Sequence, residues 1–228
     1  MPDRVQLCLP GLAPAVPPCP EIERPALAPE LLRELLALLP AGEVWSLTLW
    51  RPWQHLILVA EDPEHPECPP KLVENRPWYP LWACQPMRNG IALGRTDRPL
   101  WIAIHAGLKL DEDAWWDAKE LMVGNPGYKG RRLVNGNVIT PGHPSLIVGI
   151  GRLARVLHVD RLGMRHPEVL RHGPWISGPY AWELADRVAF AEPVSCKGLQ
   201  KLWQLPPAVL EAVRVEWARG LLRAREAA

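Results

Sequence analysis

Three charged residues fall close together in the segment Lys71-Leu-Val-Glu-Asn-Arg-Pro-Trp78. A lysine can hold a phosphate as a point charge or, when desolvated, act as a base. Glu74 could accept a hydrogen bond from the exocyclic amine of a nucleobase or activate a water molecule. Arg76 shares a strand face with Glu74, so its guanidinium could keep that carboxylate ionised or bind phosphate. The segment predicts one wall of a nucleotide pocket, with a rim ion pair worth less than ~1 kcal/mol as the alternative.

Two tryptophans lie in the preceding segment, Ser46-Leu-Thr-Leu-Trp-Arg-Pro-Trp53. The chain contains 12 Trp but one Phe and three Tyr, and an indole combines a large apolar surface with an N–H that needs a partner. Trp50 or Trp53 could stack a nucleobase, although burial in the core is the alternative for each. Trp50 is the better stacking candidate because it falls on the strand face opposite the leucines. The neighbouring Pro52 and Trp78 complete this candidate binding wall.

Four polar residues elsewhere could contribute to the same pocket. His105 could act as a proton donor or hydrogen-bonding group, or could be a purely structural histidine. Ser177 and Tyr180 could supply hydroxyl and backbone contacts, or could simply form the turn before a strand. For an enzyme, Lys71 and Glu74 would be the catalytic pair, with Thr48, His105 or Tyr180 as a third group.

The charge balance limits where a nucleic acid could bind. The net charge is +1 at pH 7, so phosphate contacts must come from a local basic patch. Lys129, Arg131 and Arg132 form such a patch in the Gly/Asn/Pro-rich stretch 124–143. This loop could clamp phosphates or could be an ordinary solvated loop.

Cysteine usage and apolar runs bound the environment of the chain. The five cysteines have no C-x-x-C spacing and no secretory signal precedes them, so we expect a reduced, cytoplasmic protein. His65 and Cys68 could supply two metal ligands but have no second pair, so we predict neither a metal nor a cofactor. No apolar run is long enough to span a bilayer, so we expect no membrane partner.

Periodicity places these residues on a small number of elements. Residues 1–28 are rich in proline and predict an extended arm, and 29–39 predict a Leu-rich helix that packs on the domain or, less favourably, forms a dimer contact. Alternation predicts strands over 43–50, 71–78, 100–106, 146–159 and 180–190. Helices are predicted after Arg51, over 111–123 and, as an amphipathic C-terminal helix, over 207–225.

These elements predict an α+β protein built on a small five- to six-stranded β-barrel with peripheral helices. We assign residues 1–42 to the Pro-rich arm and helix, 43–206 to the barrel domain and 207–228 to a C-terminal helix that packs on it. With a chain of 228 residues, 48% of them apolar, one well-packed core is expected. We predict a monomer or a weak dimer.

Five segments in order resemble the ASCH family (the activating-signal-cointegrator homology domain), a member of the PUA-like superfamily. Residues 46–53 resemble its first strand and helix start, and Lys71–Trp78 its G-x-K-x-x-E-x-R segment, with Pro69 where the family has Gly. The remaining resemblances are Ile102-Ala-Ile-His-Ala-Gly107, Gly178-Pro-Tyr-Ala-Trp-Glu183, and Pro193-Val-Ser-Cys-Lys-Gly198 followed by Leu202-Trp-Gln-Leu-Pro206, as in bacterial and phage members.

The resemblance implies a PUA-like barrel that binds RNA, DNA or a modified nucleoside in a cleft. Some small relatives are amidohydrolases that act on N4-acetylcytidine and carry K-x-x-T in this segment, where this chain has Glu74. Recognition is therefore the leading hypothesis. A hydrolase acting on an N4-acylated cytidine, or a ribonuclease, is the second, and a protein-interaction module with the Pro-rich arm as its tail is the third.

Overall fold

The computed structural model describes residues 29–51, 53–58, 71–110 and 145–226. The predicted Pro-rich arm, the predicted helix over 111–123, Pro52 and the basic cluster of Lys129, Arg131 and Arg132 lie outside the described residues.

Seven strands form the sheet: β1 (Glu43–Arg51), β2 (Val73–Arg76), β3 (Ile91–Leu93), β4 (Leu100–Leu110), β5 (Leu146–His158), β6 (Tyr180–Ser195) and β7 (Leu202–Gln204). The α-helices are α1 (Pro29–Ala37), α2 (Trp53–Leu56), α3 (Val159–Leu162), α4 (Pro167–Leu170) and α5 (Pro207–Glu226). Short 3₁₀ turns lie at Leu81–Ala83 and Gly173–Trp175. No helix in the described part of the chain is long and apolar enough to cross a bilayer.

The strands form one mixed sheet in the order β2-β6-β5-β4-β1-β7, with β3 pairing β5 off this path. β1 and β4 are parallel, and the other pairs are antiparallel. The predicted α+β class is confirmed. Among the described residues, however, the sheet has seven strands and does not close into the barrel we predicted. The count differs because β3 and β7 have three residues each, too few for alternation to mark them in the sequence.

The open sheet nevertheless curves around a core. Leu47 of β1, Ile104 of β4, Val156 of β5 and Trp182 of β6 belong to one buried cluster. The Arg76 side chain, at the end of β2, donates to the Thr48 carbonyl of β1 at 3.1 Å, although three strands separate β2 from β1 in the sheet order. The two strands therefore face each other across a gap that no strand fills in the described residues.

Helix α5 covers the outer face of the sheet. Val213 and Trp217 are buried there, and the Trp217 ring lies 4.4 Å from that of Trp101. Gly220 lets the helix approach closely, since a Cβ at this position would lie 2.2 Å from Val188 Cγ1. The predicted C-terminal amphipathic helix is therefore present, and it fixes the side of the sheet opposite the inner core.

Candidate functional site

A cavity of about 450 Å³ lies where β1 and β2 face each other, beside helix α2. Both candidate segments of the sequence contribute to it, together with the chain around residue 176. Its walls are formed by Thr48, Leu49, Trp50, Trp53, Lys71, Glu74, Asn75, Arg76, Trp175 and Ser177. The cavity is the gap left where the curved sheet does not close.

Lys71, Glu74 and Arg76, here termed the charged triad, form a chain of ion pairs in this cavity. Lys71 Nζ lies 3.2 Å from Glu74 Oε2, and Arg76 Nε lies 3.1 Å from Glu74 Oε1. The Lys71 contact is a hydrogen bond, whereas the Arg76 Nε–H is not aligned for one. Each carboxylate oxygen therefore faces one cation, and each keeps acceptor capacity for a ligand.

Lys71 is buried to an unusual degree for a lysine, at 3% exposure. Its ammonium group also donates to the Val73 carbonyl and lies over the Trp53 ring, 5.7 Å from the ring centre. Burial lowers the pKa of Lys71, and the Glu74 carboxylate, which raises it, offsets only part of that effect. With all three groups ionised the charged triad carries one surplus positive charge.

Asn75 holds the wall opposite the triad. Its Nδ2 donates to the Trp175 carbonyl at 2.8 Å, and its Oδ1 accepts from the Ser177 backbone N–H at 3.0 Å. The amide nitrogen and the amide oxygen of Asn75 therefore both hold the segment whose residues Trp175 and Ser177 line the cavity.

Trp50 stands at the mouth of the cavity with 47% of its surface exposed. Lys109 Nζ lies 3.6 Å from the centre of its ring, so a cation covers one face of the indole. Trp53 is half-buried, packs on the inner core and also lines the cavity.

Thr48 lines the cavity, but its hydroxyl is engaged elsewhere. Oγ1 donates to the Leu199 carbonyl at 2.6 Å and accepts from Trp203 Nε1 at 3.3 Å. These bonds tie β1 to β7 and to the segment before it. A nucleophilic Thr48 would have to turn its hydroxyl proton from the Leu199 carbonyl to a base.

His105 is 2% exposed and is not among the cavity-lining residues. Its Nε2 bonds to the Cys196 carbonyl at 2.9 Å, and burial lowers its pKa, an effect that this hydrogen bond only partly offsets. Gly198 passes directly against the ring, since a Cβ there would lie 2.2 Å from His105 Cε1. The geometry is that of a histidine packed between strands.

Trp78 and Tyr180 also lie outside the cavity lining. Trp78 packs edge-on against Trp182 at 4.8 Å between ring centres, and Tyr180 packs against Tyr79 and His158. The structure therefore brings together seven predicted residues in one cavity: Thr48, Trp50, Trp53, Lys71, Glu74, Arg76 and Ser177.

Three cavity residues were not predicted from the sequence: Leu49, Asn75 and Trp175. Asn75 was hidden because alternation places it on the strand face opposite Glu74 and Arg76. Trp175 lies 100 positions from the asparagine that holds it, so no local pattern connects the two. The one local signal for Trp175 was its position directly after Gly173-Pro174, a pair that is typical of a turn.

The arrangement provides hydrogen-bonding and charged groups around an aromatic rim, which suits a planar polar ligand that carries an anion. In the ranges that the structure describes, no group of three or more His, Cys, Asp or Glu side chains could hold a metal ion. No protein-family model matches the chain, and no curated protein matches it either.

Proposed function

We propose that the cavity between β1 and β2 binds a nucleotide or a single-stranded nucleic acid. The observation that carries this proposal is the charged triad, which places a surplus cation inside a cavity with an exposed indole at its mouth. An uncompensated positive charge in a partly desolvated site favours an anionic ligand. A neighbouring aromatic face favours a ligand with a planar base.

Each side chain then has a role. Arg76, which is more exposed than Lys71, binds a phosphate oxygen, and Lys71 supports it through the shared carboxylate. Glu74 accepts from an exocyclic amine of the base with its remaining lone pairs. Trp50 stacks the base on the face that Lys109 does not cover.

The resemblance to the ASCH family supports the same reading. The family's ordered motifs cover the charged triad and the strands beside it. We therefore extend the proposal to the fold: a PUA-like barrel that does not close at the cavity. The basic cluster of Lys129, Arg131 and Arg132 would add phosphate contacts. Among the described residues, Cys84 and Cys196 are free and buried, which is consistent with a reduced, cytoplasmic setting.

The test is an equilibrium titration of the full chain with labelled single-stranded RNA, DNA of the same sequence, and a cytidine nucleotide. We expect saturable binding that weakens by about tenfold or more in Trp50→Ala, because base–indole stacking is lost. Lys71→Met is expected to weaken binding at least as much. Arg98→Met, an exposed arginine remote from the cavity lining, is the matched control and should bind like the wild type.

Wild-type protein that binds none of the three ligands would contradict the proposal. So would Trp50→Ala and Lys71→Met variants that bind as tightly as Arg98→Met. Thermal unfolding of each variant separates lost binding from lost folding.

A second candidate is a hydrolase acting on an N4-acylated cytidine, or a ribonuclease. The observation that favours it is the lowered pKa of Lys71 beside a carboxylate, since a neutral amine at this position can take a proton. Because the Thr48 hydroxyl is engaged, water would be the nucleophile. Neutral Lys71 would take a proton from the water as its oxygen bonds to the acyl carbon; the bond from that carbon to N4 would then break, N4 would receive the proton, and the acyl group would leave as the carboxylic acid.

Incubation with N4-acetylcytidine and with end-labelled RNA tests this candidate. Release of cytidine or of shortened RNA that is lost in Glu74→Gln would support it. No turnover of either substrate by the wild type would remove it and leave recognition as the proposed function.

A further inference from the structure

A second concave site lies next to the cavity and contains three tryptophans. This Trp groove, lined by Trp45, Trp78, Trp82, Lys201 and Leu202, has a volume of about 360 Å³. None of these five residues lines the cavity that holds the charged triad.

The indoles of the Trp groove form a fixed platform with one exposed member. Trp45 and Trp82 lie 5.2 Å apart between ring centres at an angle of 46°. Trp78 is held edge-on by Trp182, whose Nε1 also donates to the Trp78 carbonyl at 2.9 Å. Trp82 remains 47% exposed, so part of its ring is accessible from solvent.

The Trp groove and the cavity are built on the same two stretches of chain. Trp45 precedes Thr48 by three positions on β1, which is about 10 Å along a strand. Trp78 follows Arg76 by two positions across a bend, so the two lie at most about 7 Å apart along the chain. Arg76 also bonds to the Thr48 carbonyl, so the two stretches are linked at the boundary between the sites.

The rim of the Trp groove carries a positive charge. Lys201 lines it and is exposed, at the tip of the turn that leads into β7, where its backbone takes a positive φ of 62°. The boundary toward the cavity carries Arg76. A ligand that runs from one site to the other therefore passes between cations, which suits a phosphodiester backbone.

We propose that the Trp groove takes the base of a neighbouring nucleotide while the cavity holds another, so that the ligand is a single strand rather than a free nucleotide. This inference rests on the proposed function of the cavity. Successive bases of a single strand stack on successive aromatic side chains, and the separations along β1 and after β2 can be bridged by an extended strand. Lys201 then contacts the phosphate beside the second base.

A proline-rich peptide is the other ligand that aromatic grooves bind. The two cations favour the nucleic acid, because a polyproline segment offers them no negative charge. The peptide is therefore included in the test as a competing outcome.

The experiment compares a mononucleotide with a single-stranded pentanucleotide of the same base in the wild type and in Trp82→Ala. We expect the pentanucleotide to bind the wild type about tenfold more tightly, as one added stacking contact allows. Trp82→Ala should lose this length increment and keep the wild-type affinity for the mononucleotide. Leu81→Ala, at an exposed neighbour that is not part of the Trp groove, should behave like the wild type.

Several outcomes separate this inference from the proposed function. If Trp82→Ala still binds the pentanucleotide about tenfold more tightly than the mononucleotide, the inference is overturned. Mononucleotide binding in the same experiment would leave the cavity proposal standing. A proline-rich peptide that binds the wild type, fails to bind Trp82→Ala and does not compete with the pentanucleotide also overturns it. Wild type that binds neither nucleic acid overturns both proposals. An unchanged thermal midpoint of Trp82→Ala shows that any loss is not a loss of folding.

Discussion

Two clusters of charged side chains lie on this sheet, and they differ in charge balance and surroundings. The charged triad of Lys71, Glu74 and Arg76 joins two cations to one carboxylate at the wall of a cavity. The second cluster, here termed the outer network, joins two arginines to two glutamates and a histidine on β5, β6 and the segment between them: Arg155, Glu168, Arg171, His172 and Glu183.

The outer network satisfies its members with short, direct contacts. Glu183 Oε2 receives hydrogen bonds from Arg155 at 2.5 Å and Arg171 at 2.7 Å and lies 3.2 Å from His172 Nε2, and Arg155 also bonds to Glu168 at 2.6 Å. Burial would raise the pKa of Glu183, but the hydrogen bonds from His172 and Arg155 and the charges of the two arginines lower it to about 2.

The two clusters differ in charge balance and in their surroundings, which is why we propose a ligand-binding role for the charged triad alone. In the outer network the carboxylates and guanidiniums balance, and none of its residues lines the cavity. In the charged triad one positive charge remains uncompensated beside open space, and Lys71 is held with a lowered pKa. A fold that keeps such a group accepts a cost in stability, which is typical of functional sites.

Removing one cation from each cluster should give the largest contrast. We expect Arg155→Met to lower the free energy of unfolding by roughly 2–4 kcal/mol, because it leaves Glu183 and Glu168 short of a buried partner. Lys71→Met should change it by less than about 1 kcal/mol, because Glu74 and Arg76 remain as a balanced pair. Urea unfolding of both variants measures the difference, and equal losses would refute the contrast.

Acid should weaken the outer network selectively. The pKa of Glu183 is lowered from 4.5 to about 2, so below pH 4.5 the unfolded chain binds a proton that the folded chain does not. Stability from this group is therefore present above pH 4.5 and is lost as the pH falls toward 2, by at most about 3 kcal/mol and less where solvent screens Arg171. The unfolding free energy of Glu183→Gln should lack this part of the acid dependence. A wild type and a variant with parallel pH profiles would contradict the assignment.

A smaller loss than that of Arg155→Met is expected at the brace of the cavity wall. Asn75→Ala removes the two hydrogen bonds that hold Trp175 and Ser177, and we expect it to cost about 1–2 kcal/mol of stability. Affinity for the nucleotide should fall by several-fold because the wall is no longer fixed. Denaturant unfolding and ligand titration check the two effects. An Asn75→Ala variant with wild-type values for both would show that the brace does not matter.

Much of the site could be predicted because it depends on local alternation. The spacing of Glu74 and Arg76 placed them on one strand face, and the structure brings Arg76 Nε to 3.1 Å from Glu74 Oε1. The position of Trp50 opposite the leucines made it the stacking candidate, and its side chain is 47% exposed. The main strands followed from the same period. Their arrangement into an open sheet did not, because closure depends on how far the sheet curves and not on any one strand.

The rest depends on contacts between distant parts of the chain. The Thr48 hydroxyl is engaged by residues 151 and 155 positions away, and the His105 ring by a carbonyl 91 positions away. No pattern within β1 or β4 reports these partners. Alternation therefore predicts which face a residue occupies, while its hydrogen-bond partners become visible only in the fold.

The salt dependence of binding tests the central claim most directly. If the surplus charge of the triad neutralises a ligand phosphate, Arg76→Met should leave Lys71 and Glu74 as a balanced pair and remove that contact. Titrations with single-stranded RNA over a range of salt concentrations should then give a slope of log Kd against log salt concentration that is smaller by about 0.7 than that of the wild type. Binding at low salt should also be weaker. Arg98→Met should keep the wild-type slope. An Arg76→Met variant with the wild-type slope and affinity would contradict the account.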